Sequence, residues 1–197
     1  MSVSRRQFNL AALTGFSGSL LSFPRAVLAA QASEAPLVLS KDEWACVEQI
    51  TGLLIPSIDG LGAREANSVN FIDKALANEE STHVDRYKEG IRHLNAHCEA
   101  VYSAPFLALE SAQQVRVLEQ LEDGQLEGLP AMNQQIWFGL LWYHTILGFA
   151  AAPRFGGNQN LVGWKVMNFP GHLHEAGGIT DAQVAGEQPL KWTFDSH

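Results

Sequence analysis

Residues 136–149 read IWFGLLWYHTILGF, and ten of these fourteen side chains are large and apolar. Too long for an ordinary strand, the run reads as a helix with almost no polar face. Such a helix is either the centre of a core or is covered by a second protein. It falls short of the ~20 residues that a membrane-crossing helix requires. Directly after it comes GFAAAPRFGGNQNLVGWKVMNFPG, residues 148–171, dense in glycine, proline and asparagine. From Pro153 onward helical periodicity is lost. So long an irregular stretch in one domain needs tethers, and Phe155, Trp164, Phe169, Trp192 and Phe194 are the aromatic candidates.

The chain upstream also reads as helices. Ser40 with Glu43 has the spacing of a capping box, and Trp44, Val47, Ile50 and Leu54 then recur at helical intervals until Pro56. A glycine-punctuated loop, PSIDGLGAREANS, leads into a short helix around VNFIDKALAN. Val84, Tyr87, Ile91, Leu94, Cys98 and Val101 step by three and four along one face of the next helix, which Pro105 ends. Ser111 with Gln114 is the expected cap of another helix carrying Val115, Leu118 and Leu121, with Gly124 as its stop. No internal repeat or β-hairpin pattern is present. The expectation is an all-α domain of about five helices, residues 40–197, with a long irregular C-terminal segment. With 46% hydrophobic residues in 197, one packed core is within reach.

The first 29 residues look like a separate unit. SRRQFNL places Arg5, Arg6 and Phe8 in a basic start, and AALTGFSGSLLSF is a moderately apolar run. Pro24, Arg25 and a small-residue end with Val27 and Ala29 follow. This resembles a twin-arginine (Tat) signal peptide cleaved after Ala29, with residues 30–39 as a polar linker. Tat export carries folded proteins, so the chain or a passenger would fold before crossing to the periplasm. The net charge is −8, and removing the leader takes away three arginines and no acid. A surface that acidic repels phosphate backbones, which argues against a nucleic-acid partner.

Few residues suggest chemistry of their own. No dinucleotide fingerprint, phosphate loop or C-x-x-C-H haem motif is present. FGGNQN follows a helix and a proline, where glycines serve as caps and tight turns rather than as a phosphate cradle. His93 and His97 are four apart but fall on the side away from the apolar stripe, which reads as a solvated face. HLHE (His172, His174, Glu175) has ligand-like residues but no third and fourth ligand in view. His144 interrupts the apolar helix and needs a hydrogen-bond partner there. As a catalytic base it lacks a nucleophile or orienting carboxylate nearby in sequence. Cys46 and Cys98 are open to three readings: a bridge between their helices, two buried free thiols, or a bond to a partner.

The block HTILGFAAAPRFGGNQNLVGWKVMNFPG resembles the signature of the gluconate 2-dehydrogenase subunit 3 family. The matching positions are His144, Thr145, Gly148, Phe149, Pro153, Phe155, Gly156, Gly157, Asn158, Gly163, Trp164, Phe169, Pro170 and Gly171. The Tat-like leader, LLIP at the end of the first helix and GAREA in the next loop add a looser likeness. Leu147 and Ala152 depart from it, standing where acids are frequent in the family. The resemblance implies an accessory subunit with no cofactor of its own, bound to a large FAD-dependent sugar or sugar-acid dehydrogenase chain. A cytochrome c subunit commonly joins such complexes, and the small subunit's leader takes the flavoprotein through the Tat translocase. On that footing His144, Phe149, Pro153, Phe155, Gly156, Gly157, Asn158, Trp164, Phe169 and Pro170 are candidate contacts to the partner. The competing reading is a stand-alone exported helical metal protein or enzyme using His144 or the His172/His174 pair.

Overall fold

A computed structural model describes residues 36–169 and 181–188. Arg5, Arg6, Phe8, Pro170, Gly171, His172, His174, Glu175, Trp192 and Phe194 lie outside the described residues. The described chain is all-α, as expected. Its five longer helices are α1 (Lys41–Leu54), α2 (Ser68–Ala77), α3 (Val84–Tyr102), α4 (Ser111–Asp123) and α5 (Ala131–Ala150). Two short ones follow, α6 (Val162–Val166) and α7 (Asp181–Val184).

The start of α1 is the expected capping box. Ser40 Oγ accepts from the Glu43 amide at 3.2 Å, and Glu43 Oε2 accepts from the Ser40 amide at 2.7 Å. For α4 the cap is one residue earlier than the sequence suggested. Glu110 is the N-cap and exchanges hydrogen bonds with Gln113, while Ser111 is already helical. A glutamate carboxylate accepts from the helix's free amides as a hydroxyl would, so either register satisfies them. The neighbouring Gln114 is needed inside: its amide donates to the Phe106 carbonyl at 2.8 Å and accepts from Gln49 at 2.7 Å.

The core has α5 at its centre, packed most extensively on α2 and α4. Val47 and Ile50 of α1, Ile72 and Leu76 of α2, Tyr87 and Leu94 of α3, Leu121 of α4, and Trp137 and Leu141 of α5 are essentially inaccessible to water. The α3 stripe holds except at its end. Val101 is exposed, and Phe106 folds back against the helix, donating its amide to Asn95 Oδ1 at 3.0 Å. His97, read as solvated, is buried. The chain between α4 and α5 covers it, and its ring faces Gln120 at 3.3 Å and the Glu127 amide at 3.4 Å. His93 stays near the surface beside Glu89.

The end of the expected linker is part of the fold. The buried Asp73 carboxylate of α2 accepts from three successive amides, Leu37 at 2.6 Å, Val38 at 3.1 Å and Leu39 at 2.9 Å. A fan of donors on one buried anion balances its lost hydration and pins the strand of chain that leads into α1. Of the states open to the cysteines, Cys46 and Cys98 are both buried free thiols. Burial, then Cys98 and Glu43, push the Cys46 thiol up to about 12, and burial with Glu99 pushes Cys98 up to about 11, so neither is a ready nucleophile.

Replacing Asp73 by alanine leaves three amides without their acceptor, that of Leu39 buried and those of Leu37 and Val38 partly so, and is expected to cost about 3 kcal/mol. Ser40→Ala should cost about 1 kcal/mol. Urea denaturation of the two variants measures both, and a smaller loss for Asp73→Ala than for Ser40→Ala would contradict the ranking.

Candidate functional site

The signature block is built around the carbonyl end of α5. A helix leaves its last carbonyls without partners inside the helix, and buried ones must find donors elsewhere. Here the chain turns back through Pro153–Phe155 and supplies them one by one. The Gly148 carbonyl accepts from the Asn158 amide at 2.6 Å. The Ala151 carbonyl accepts from Asn158 Nδ2 at 3.0 Å, and the Ala150 carbonyl accepts from Trp164 Nε1 at 2.7 Å. Asn158 Oδ1 in turn accepts from the Gly163 amide at 2.8 Å, tying the returning chain to itself.

Glycine is required here for close approach. A Cβ on Gly157 would meet the backbone of Gly148, one on Gly163 would meet the Phe149 carbonyl, and one on Gly148 would press on Ser68 at the start of α2. Gly156 is needed for its conformation, with φ of +96°. Its carbonyl accepts from Asn70 Nδ2 at 2.7 Å, and the Gln159 amide donates to the Ala66 carbonyl at 3.0 Å. Asn158, Asn160 and Leu161 also adopt positive φ, and Leu161, which lacks asparagine's tolerance for that region, carries local strain. Trp164 is buried with Phe169 edge-on at 5.1 Å, so these two tether the segment as expected, whereas Phe155, expected as a third tether, is half exposed to water.

The structure therefore divides the candidate contact residues. His144, Phe149, Gly157, Asn158 and Trp164 are buried within the chain and hold the cap together. Phe155, stacked under the Arg154 guanidinium at 4.8 Å, and Phe169 are exposed, while Pro153 and Gly156 are half-buried. Sequence reasoning left α5 as either a core centre or a helix covered by a second protein, and named no residue of its outer face. Met132, Ile136, Tyr143 and Ile146 are exposed, with Gly139 flat between them. Their steps of four, three, four and three align them in one apolar stripe opposite the core face. The signal was in the sequence as an apolar run with no polar face.

His144 lies where the core face of α5 meets a cavity of about 610 Å³. The ring is 1% exposed, and its Nδ1 is 2.9 Å from the hydroxyl of Tyr87, which is itself fully buried. The rings stack, with centroids 5.9 Å apart. The partner is thus a side chain rather than the backbone group usual for a core histidine. Burial lowers the His144 pKa below the ordinary 6.5; Glu80 opposes that shift and His83 adds to it. Burial also raises the Tyr87 pKa, so this is a neutral pair. Nε2 is buried without a hydrogen-bond partner. Among the described residues no three His, Cys, Asp or Glu side chains are grouped to hold a metal ion. No helix among them is long and apolar enough to cross a membrane.

The chain matches the model of the family described as Gluconate 2-dehydrogenase subunit 3 over residues 41–171. That span holds the five longer helices and the cap on α5. No curated protein and no solved structure matches the chain.

Gly157→Ala and Gly163→Ala should each cost about 3 kcal/mol through backbone displacement, and Asn158→Ala about 2 kcal/mol. Phe155→Ala should change stability by less than about 0.5 kcal/mol. Thermal and urea melts of the four variants test this order. For His144 the unfolded chain binds the proton more readily than the folded one, so stability falls as pH drops below about 6.5, by at most about 1.4 kcal/mol per pH unit. Comparing wild type with His144→Gln between pH 7.5 and 5 should show the variant losing less on acidification; parallel profiles would contradict the neutral burial of this ring.

Proposed function

The chain belongs to the gluconate 2-dehydrogenase subunit 3 family, subunits of a dehydrogenase complex, and from that premise we propose that it is the non-catalytic small subunit of a periplasmic FAD-dependent sugar or sugar-acid dehydrogenase. In this reading the FAD and the oxidation belong to the large subunit. The small subunit supports the large one's folding and carries it, already folded, through the Tat translocase. A cytochrome c subunit commonly joins complexes of this kind and passes the electrons on.

The observation that carries the reading is the bare stripe on α5. Met132 is 70% exposed and Tyr143 54%, on the same helix whose opposite face forms the centre of the core. Exposed apolar side chains in a continuous row mark a surface that another protein covers. The buried side of the signature block fits the same role. Asn158 and Trp164 spend their polar groups on capping α5, so the role of the returning chain is structural. The paired arginines of the leader agree with export of a folded complex.

Ile136→Asp and Tyr143→Asp, both on the exposed face, should leave the chain folded yet reduce recovery of the FAD-containing large chain in co-purification by at least about tenfold. The chain purified alone should show no flavin absorbance and no dehydrogenase activity; robust activity from it would overturn the proposal. Replacing Arg5 and Arg6 by lysine should hold the flavoprotein in the cytoplasm, and unimpaired export would refute the carrier role.

A further inference from the structure

The chain has two cysteines, and the fold brings both into one core. Cys46 on α1 is 2% exposed, and Cys98 on α3 is inaccessible to water. The two helices pack against each other, and the Cys98 sulfur is near enough for its charge to act on the Cys46 thiol. No bond joins them. Both fill the core as small, weakly polar side chains.

A thiol pair of this kind depends on whether the chain folds before or after it meets an oxidant. In the unfolded chain both sulfurs are in water, and closing the loop between them costs little more than closing a much shorter one. A disulfide oxidant then reacts in two steps. One cysteine thiolate attacks a sulfur of the oxidant, forming a mixed disulfide and releasing half of the oxidant as a thiolate. The second cysteine attacks the mixed disulfide, forming the Cys46–Cys98 bond and releasing the other half. The chain gives up two electrons and two protons, and the oxidant takes them up as two thiols. In the folded chain each step needs a sulfur at the surface, and neither sulfur is there. Burial also holds both thiols above their ordinary pKa, which depletes the thiolate that would attack.

We infer that folding seals Cys46 and Cys98 as a dithiol, and that the chain completes its core before it enters an oxidising compartment and keeps the pair unoxidised there. An oxidising compartment ordinarily joins an even set of cysteines. A chain threaded unfolded into one shows Cys46 to the oxidant before α3 has arrived to pack on α1. The order of events rests on the proposed reading of the chain as an exported subunit, whereas the sealing stands on the core alone. The pair thus sets a time by which the core must form.

The full chain, purified with a reductant that is then removed, is given oxidised glutathione either folded or in urea. Mass after alkylation counts the thiols that remain. Oxidation of the folded chain should be at least about a hundredfold slower than in urea; comparable rates overturn the inference. In cells, the chain recovered from the periplasm should alkylate at both cysteines. The same chain behind a leader that exports unfolded proteins should carry the Cys46–Cys98 bond or a mixed disulfide. A bridge in the chain exported by its own leader overturns the inference and leaves the subunit reading standing, and so does a dithiol from both routes. Retention of the chain in the cytoplasm overturns the export reading together with the order of events, while the glutathione rates still decide the sealing.

Discussion

The carbonyl end of α5 is the constraint on which the rest of this structure depends. A helix that is apolar on almost every side has no polar side chain of its own near its end to satisfy the last carbonyls. The donors must come from elsewhere in the chain, and Asn158 and Trp164 bring them. For the returning backbone to come close enough, Gly157 and Gly163 must lack side chains. The spacing of the block from Gly148 to Trp164 is thus a consequence of helix termination. The same return positions Gly156 against Asn70 and Gln159 against Ala66, which locks the end of α5 to the start of α2.

Rigid termination matters because α5 serves two surfaces. Its inner face supplies Trp137, Phe138 and Leu141 to the core, and its outer face leaves Met132, Ile136, Tyr143 and Ile146 in water. Burying a large apolar side chain stabilises by roughly 1.5–3 kcal/mol, so the outer row forgoes several such contributions in the isolated chain. In the proposed complex a partner subunit would cover that row. The inner packing fixes the helix axis, the cap fixes its end, and the outer row is presented without further ordering cost to whatever binds it.

Local features were legible in the sequence and distant ones were not. The Ser40–Glu43 capping box, the α3 stripe and the tethering roles of Trp164 and Phe169 follow from spacing alone, because each is decided within one or two turns or by one aromatic pair. The α4 cap slipped by one residue since Glu110 and Ser111 both offer an oxygen, and only the tertiary use of Gln114 decides between them. His97 looked solvated because the chain that covers it comes thirty residues later. Asp73 and the three amides it gathers are separated by more than thirty residues, and nothing about an aspartate in a helix announces them. The glycines of the signature were read correctly as structural, but close approach to α5 is visible only when the helix end is seen beside them.

His144 shows why an apolar helix would carry one imidazole. A leucine there would fill the space between Tyr87 and the cavity equally well, but it would leave the buried tyrosine hydroxyl without an acceptor. A glutamine would accept from Tyr87 but would forgo the ring stacking on it. Histidine pairs with the Tyr87 hydroxyl at one edge and stacks on its ring, while Nε2 at the other edge stays buried without a hydrogen-bond partner. The three side chains before it and the three after it on the same helix, Leu141, Trp142, Tyr143, Thr145, Ile146 and Leu147, offer Nε2 no charged group, and Thr145 spends its hydroxyl on the Leu141 carbonyl at 2.6 Å. The polar demand of the imidazole is therefore met on the Tyr87 side alone.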